Sequence, residues 1–381
     1  MRIGIDGRAL TGRFTGDRTY WRNLVRAHLR AAARDAADGH EYIVYTRLPV
    51  PAGELPQSPY LSFRTVPATN NRLWTLLAFP RAMRHDGIDV AHTQYTIPLR
   101  AACPVVTTVH DISFRLYPEW FPRKHRVLLN LTVPCSMRRA RVVITDSESS
   151  RRDILRVYGF EPGHVTAIAL AAGPEYRPMP RADAAALVAE HLGLDSPYVV
   201  TVGVLQPRKN LPLLLEAFAR ARMRAEFPHK LVLAGKRGWG CENLAIQAAR
   251  LQIGDAAVFT DYVADQDLPA LYSAADAMAF PSLYEGFGLP PLEAMACGAP
   301  TLVSDAPAMP EVVGDGAMIL PVMDAYSWGD ALAALLKDPA ARRTWSARGV
   351  ARAAAFDWDR TARATRQVYG AATSRQAAAA G

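Results

Sequence analysis

Short apolar runs alternate with longer amphipathic stretches from one end of this chain to the other, and the alternation is interrupted once before it restarts. Parallel strands joined by covering helices require this pattern. A strand buried on both faces is apolar throughout, while its crossover helix turns one apolar face to the sheet. Strands are predicted at 2–5, 41–46, 88–92, 105–109, 142–145 and 165–168. The interruption, Gly173-Pro174-Glu175-Tyr176-Arg177-Pro178-Met179-Pro180, is too rich in proline for regular structure and reads as a linker. The series resumes at 198–202, 230–234, 256–259, 277–280 and 301–303. A length of 381 residues exceeds what one core commonly organises. The expectation is therefore two doubly wound α/β domains, 1–173 and 174–357. A last helix is predicted over 358–370, and the alanine-rich tail, 371–381, lacks an apolar face and is expected to fray.

Half of the residues are hydrophobic, yet no uninterrupted apolar run approaches the length that crosses a bilayer. Met1-Arg2-Ile3-Gly4-Ile5-Asp6 reads as a first strand, not a secretory leader, so a cytoplasmic location is expected. Cys103, Cys135, Cys241 and Cys297 are widely spaced, without metal-ligand spacing, and are expected to be reduced. The formal net charge of +8 is unevenly spread: residues 1–173 hold 24 basic and 14 acidic side chains, and the remainder 20 and 22. Such a field draws an anionic partner to the first half, whether a phosphorylated acceptor or an acidic lipid surface. Nucleic acid fits poorly, since no reading module is recognisable. A nicotinamide-dependent oxidoreductase fits no better, since no Gly-x-Gly-x-x-Gly follows the first strand of either domain.

The densest chemistry lies in Tyr284-Glu285-Gly286-Phe287-Gly288-Leu289-Pro290-Pro291-Leu292-Glu293. A buried strand, Ala277 to Pro281, leads in, and the two prolines sit where a first helical turn tolerates missing N–H groups. Glycines let the backbone approach a ligand, and the helix start at Gly288 and Leu289 attracts an oxyanion. A carboxylate on either side can accept hydroxyl hydrogen bonds, and a diphosphate between two polyols describes a nucleotide sugar. Taken alone, Glu293 is equally well explained by its place in the first helical turn.

The whole run through Ala294-Met295-Ala296-Cys297-Gly298-Ala299-Pro300 resembles the retaining glycosyltransferases of family 4. Their signature of two glutamates separated by seven residues is matched by Glu285 and Glu293. The resemblance implies the GT-B architecture, two Rossmann-like domains facing a central cleft, with the closing helix packed back on the N-terminal domain. It places Glu285 with Gly286 and Phe287 by the donor sugar, and Glu293 on the ribose.

Other elements fit the same frame. Thr201-Val202-Gly203-Val204-Leu205-Gln206-Pro207-Arg208-Lys209-Asn210 reads as a strand, a glycine-started loop and a helix capped by Asn210. Arg208 and Lys209 thus project at a strand end, where open α/β sheets bind ligands. In the family these cations hold the donor phosphates. His110-Asp111 follows the strand 105–109, and the resemblance of Thr108 to Phe114 puts His110 beside the donor sugar and the reacting bond. Lys236 and Val263 are expected at the edge that receives the base. Lys236-Arg237-Gly238-Trp239 is similar to a mannosyltransferase-like branch. One loop departs from the family: Thr15-Gly16-Asp17-Arg18-Thr19-Tyr20 has Arg18 where relatives have a second glycine. Gly16 and Arg18 are its candidates for phosphate or acceptor contact, a plain surface arginine being the other reading. The aromatic and basic run Glu119-Trp120-Phe121-Pro122-Arg123-Lys124-His125-Arg126, leading into a helix that ends near Arg138, Arg139 and Arg141, is a candidate contact with the inner face of an anionic membrane.

The expected activity is retaining transfer of a hexose, first mannose from GDP-mannose, to a carbohydrate or glycolipid hydroxyl in surface polysaccharide or glycolipid synthesis. A UDP-sugar donor, or a sugar-nucleotide-binding protein without catalysis, are the alternatives. No cofactor or metal is expected, because cations of the protein face the diphosphate and no Asp-x-Asp pair is placed to hold a metal beside it.

Overall fold

A computed structural model describes residues 1–12, 16–34, 40–224 and 227–380, the side chains of 375–380 excepted. The chain forms two compact units. One comprises Met1–Leu116, Arg123–Leu170 and Asp357–Gly381; the other comprises Tyr117–Pro122 and Ala171–Phe356. The change of unit comes three residues before the expected boundary at 173, and a short aromatic segment, Tyr117–Pro122, belongs to the second unit.

The first unit is built on a parallel seven-stranded sheet of order β3-β2-β1-β4-β5-β6-β7. Its strands are β1 (Arg2–Asp6), β2 (Glu41–Thr46), β3 (Leu61–Thr65), β4 (Val90–Gln94), β5 (Val105–Thr108), β6 (Val142–Thr145) and β7 (Val165–Ala167). The central strands are buried apart from Arg2 at the start of β1 and Gln94 at the end of β4, as the apolar runs require. β3 went unpredicted because it is an edge strand with a largely exposed LSFRT sequence, which carries no apolar run. The helix Gly16–Arg34 packs against the closing helix Trp358–Ala380. Arg30 and Arg34 both pair with Asp359, and the Tyr369 hydroxyl shares a hydrogen bond with His92 Nδ1 at 2.7 Å. Burial and nearby His110 lower the His92 pKa to about 3, so this ring is neutral, with one nitrogen donating and the other accepting between the Tyr369 and Thr108 hydroxyls. The closing helix runs to Ala380, past the predicted end at 370. Alanine has the highest intrinsic helix propensity, and Ala372 is fully buried, which anchors the turn after Tyr369.

The second unit has a parallel six-stranded sheet, β10-β9-β8-β11-β12-β13. Its members are β8 (Tyr198–Val202), β9 (Lys230–Ala234), β10 (Ala257–Asp261), β11 (Ala277–Phe280), β12 (Thr301–Ser304) and β13 (Met318–Leu320). The short edge strand β13 lay outside the prediction. One side is covered by the helices Leu211–Arg224 and Ala325–Lys337, whose Leu214, Phe218, Trp328 and Leu332 are buried in one core. The strand order runs outward in one direction from β8 and in the other from β11. These two adjacent strands form the topological switch point, and the loops leaving their carboxyl ends open a crevice there.

The aromatics that precede the basic helix in the sequence pack away from it. Tyr117 and Trp120 stack at 4.1 Å, Phe121 packs by Trp239, and the Trp239 indole N–H donates to the Trp120 carbonyl, all within the second unit. The basic helix itself, Arg123–Arg139, remains in the first unit.

Candidate active site

At the switch point of the second unit, the chain after β8 turns through Gly203 into a short 3₁₀ turn, Pro207–Lys209. Gly203 faces Gly235 so closely that a Cβ on Gly235, whose φ is +147°, would stand 1.9 Å from the Gly203 carbonyl oxygen. The two strand ends therefore meet with no side chain between them. Asn210 ends the 3₁₀ turn in a left-handed conformation, and its amide donates to the Val322 carbonyl at 2.9 Å instead of serving as the expected cap. This tether fixes the direction of Arg208 and Lys209.

The loop after β11 comes back to meet them. Leu283 N–H donates to the Arg208 carbonyl at 2.8 Å, and Arg208 Nη1 donates to the Tyr284 carbonyl at 3.0 Å. Glu285 then accepts from Arg208 Nη1 at 2.6 Å through one oxygen and from Lys209 Nζ at 2.8 Å through the other. Lys209 also lies 4.2 Å from the centre of the Phe280 ring. Burial acts to raise the Glu285 pKa, but Arg208 and Lys209 outweigh it and hold the carboxyl below its usual range. Two cations share one carboxylate, which leaves a net positive, poorly solvated cluster. Gly286 and Phe287, the latter buried, follow directly.

The helix Leu289–Ala296 begins beside this cluster. Gly288 precedes it with φ +107°, and a Cβ there would come within 2.3 Å of Met309 Cε. Pro290 and Pro291 carry no N–H, so the backbone donors left at this end are those of Gly288 and Leu289. Glu293 is buried on the same helix, with the Tyr272 hydroxyl 3.5 Å from its Oε2. At the ends of the neighbouring strands β9 and β10, Lys236 Nζ lies 4.9 Å from the Tyr262 ring centre, and Val263 is buried next to it. The second unit thus brings Arg208, Lys209, Glu285 and Gly288 onto adjoining loops, with Leu289 and Glu293 on the helix that the second loop starts.

In the first unit, His110 follows β5 and is set by groups from three other elements. Its Nδ1 lies 2.7 Å from Asp146 Oδ2, just past β6, and its Nε2 lies 2.8 Å from the Gln94 side-chain amide, at the end of β4. Asp17, from the start of the helix Gly16–Arg34, approaches Nε2 at 3.6 Å. Tyr20 and Tyr95 meet the ring edge-on at 5.0 and 5.7 Å. Burial works against a charged ring, yet Asp146, with Asp17 and Asp111 behind it, more than offsets this and pushes the His110 pKa up to about 9. With Nδ1–H donated to Asp146, the Gln94 amide donates to a neutral Nε2. Protonation there requires the amide to turn its oxygen inward.

The glycine-poor loop differs from expectation. Arg18 is buried and forms a two-pronged ion pair with Glu54, with Nε to Oε1 at 2.9 Å. A carboxylate from another loop takes its charge, so it is neither a surface arginine nor placed beside His110; Asp17 has that position. Gly16 opens the helix and is exposed, and Thr15 lies outside the described residues. Asp146, Gln94 and Asp17 were missed from the sequence. The available signal was an acidic residue directly after the predicted strand 142–145, which the order β4-β5-β6 sets beside His110.

Two parallel doubly wound sheets, with a cation and carboxylate cluster at the switch point of the second, define a glycosyltransferase of the GT-B type. The chain matches the models for Glycosyl transferases group 1 over residues 188–352 and Glycosyltransferase Family 4 over residues 23–171. It is 33% identical over 264 residues to the O-antigen chain mannosyltransferase B of Escherichia coli, covering 69% of each chain. To the serotype-specific mannosyltransferase WbdA of Escherichia coli it is 31% identical over 284 residues, which is 73% of this chain and 34% of that longer one. Sucrose-phosphate synthase from Thermosynechococcus elongatus has the same fold, with a TM-score of 0.75 at 23% identity over the full length of both chains. The protein belongs to the family 4 glycosyltransferases, in a branch with mannosyltransferases among its relatives.

Proposed function

We propose that the chain is a retaining hexosyltransferase that moves mannose from GDP-mannose to a hydroxyl of a carbohydrate or glycolipid acceptor in surface-polysaccharide synthesis. The observation that carries this reading is the Arg208–Glu285–Lys209 cluster beside the helix start at Gly288. Arg208, Lys209 and the Gly288 and Leu289 N–H groups receive the donor diphosphate, and Glu293 accepts from the ribose. As the bond to the anomeric carbon lengthens, negative charge builds on the departing phosphate. Cations already held in place by Glu285 meet that charge without reorganising, and the acceptor oxygen attacks the cation-like carbon from the face the phosphate leaves, its proton passing to the departing phosphate. No protein nucleophile and no metal take part. Glu285, Gly286, Phe287 and, by the family resemblance, His110 orient the sugar. The mannosyltransferase relatives support mannose as the sugar.

No helix among the described residues is long and apolar enough to cross a membrane. We place the protein in the cytoplasm, in peripheral contact with the inner face of the membrane where a glycolipid acceptor is reached. The test is to incubate the protein with GDP-mannose and, separately, UDP-hexoses, and to follow nucleoside diphosphate release and the anomeric configuration of the product by NMR. Release from GDP-mannose with an α-linked product is expected. Turnover of UDP-sugars alone would replace the donor, and binding without any turnover would make the chain a sugar-nucleotide-binding protein.

A further inference from the structure

The start of the helix Gly16–Arg34 meets His110 with a carboxylate. Asp17 lies in the first turn, with Oδ1 3.6 Å from His110 Nε2. That separation is longer than a hydrogen bond, and the Asp17 side chain is 47% exposed beside a ring that is only 15% exposed. An ionised carboxylate only accepts, so Asp17 has oxygen lone pairs to offer a ligand that reaches the ring.

The turn that holds Asp17 is fixed on two sides. Arg18, the next residue, is clamped by Glu54 with Nε 2.9 Å from Oε1, and Arg26, further along the same helix, donates to the Glu54 carbonyl at 3.1 Å. The Tyr20 hydroxyl shares a hydrogen bond with Thr108 Oγ1 at 2.9 Å, and the Tyr20 ring meets the His110 ring edge-on. Asp17 is therefore in place before an acceptor arrives.

The local sign of charge follows from these pairings. A helix start attracts phosphate through its open backbone N–H groups, and an arginine facing the ligand would strengthen that attraction. Here Glu54 takes the charge of Arg18, and the exposed charge in the first turn is that of Asp17. The other charges that raise the His110 pKa, those of Asp146 and Asp111, are negative too. Asp146 is engaged by the ring, and Asp111 by its own turn, where Oδ1 accepts from the Ser113 N–H at 2.8 Å and from its hydroxyl at 2.5 Å. The basic excess of the first half, which suggested an anionic acceptor, is thus reversed beside His110. A phosphate brought to this side of the ring would meet carboxylates, whereas the hydroxyls of a neutral sugar would find an acceptor.

We propose that Asp17 selects the acceptor: its carboxylate accepts hydrogen bonds from hydroxyls next to the attacking oxygen of an uncharged sugar and repels acceptors phosphorylated at those positions. The inference deepens the transferase reading and rests on it, since His110 marks the reacting bond only under that reading.

The experiment compares methyl α-mannopyranoside with its 3-, 4- and 6-phosphates as acceptors for the whole protein. Binding is read by saturation-transfer NMR in the presence of GDP, and kcat and KM with GDP-mannose as donor, for wild type, Asp17→Asn and Asp146→Asn. Urea denaturation checks that the variants fold. Wild type should bind and use the neutral glycoside and discriminate against the phosphates. Asp17→Asn should lower kcat/KM for the neutral glycoside about ten- to a hundredfold, chiefly through KM, the scale of losing a charge-assisted hydrogen bond. The disadvantage of the phosphates should shrink about tenfold in the same variant. Asp146→Asn, which disturbs the ring from its other nitrogen, should slow every acceptor alike and leave their ratio unchanged. Failure of the neutral glycoside to bind, equal binding of the phosphates by wild type, a ratio that Asp17→Asn does not move, or one that Asp146→Asn moves as far would each overturn the proposal. Wild-type binding with the expected discrimination but without mannosyl transfer would count against the transferase reading alone.

Discussion

Glu285 and Lys209, 76 positions apart in the chain, meet as a buried ion pair with Nζ 2.8 Å from Oε1. The lysine that would face a departing phosphate is therefore oriented before any donor arrives. Lys209→Ala should lower turnover by about two to three orders of magnitude, the scale of removing one preorganised charge donor. Glu285 keeps Arg208, so the variant should fold. Steady-state release of nucleoside diphosphate measures the effect, and wild-type activity would remove this loop from the mechanism.

Glu285 and Glu293 should fail in different ways. Glu285→Gln loosens both cations and is expected to depress turnover, whereas Glu293→Gln should chiefly weaken donor binding. Calorimetry with GDP separates them, and a Glu293→Gln variant that binds GDP like wild type would contradict the ribose role. Glu285 also gives a pH signature. Its folded pKa lies below the ordinary 4.5, so its stabilising contribution is complete above that value and is lost as pH falls through the folded value. The acid branch of a urea-midpoint profile should be shallower in Glu285→Gln.

Asp146 should act through His110. Asp146→Asn removes the largest of the carboxylate contributions that raise the ring's pKa, leaving burial opposed only by Asp17 and Asp111, so the pKa should fall. NMR titration of the His110 ring should show the fall from about 9. The stability that comes from the charged ring is fully present below 6.5 and is lost as pH rises through about 9, so the wild type alone should weaken over that window. Activity should drop about ten- to a hundredfold if ring orientation matters. An unchanged titration curve would refute the coupling.

Polar contacts as well as packing hold the closing helix, and the one between Tyr369 and His92 is fully buried. Tyr369→Phe deletes the hydroxyl that meets His92 Nδ1 and leaves that nitrogen without its hydrogen-bond partner. A loss of about 1–2 kcal/mol is expected, read from chemical denaturation. A neutral result would mean that water replaces the hydroxyl.

Catalysis should survive chelation, because Arg208, Lys209 and the Gly288 helix start supply fixed charge to the diphosphate. Activity abolished by EDTA and restored by magnesium or manganese would sink the metal-free mechanism while leaving the fold intact.

The sequence alone determined what depends on local pattern and spacing. Uniformly apolar runs gave the central strands of both sheets, β2, β6, β8, β9 and β11 at their observed bounds, because burial on both faces leaves no other composition. The same economy hid β3 and β13, whose exposed edge positions impose no such demand. Glu285 and Glu293 were legible because both lie in one loop and the helix it starts. Tertiary structure alone decided the pairings. Arg208 with Glu285, His110 with Asp146, and Arg18 with Glu54 join residues 77, 36 and 36 positions apart, and strand order and loop return, not spacing, bring them together. It also moved Trp120 and Phe121 onto Trp239 and kept Leu128 and Leu131 of the Arg123–Arg139 helix exposed, since a linear pattern records that a residue is apolar and not which surface remains to cover it.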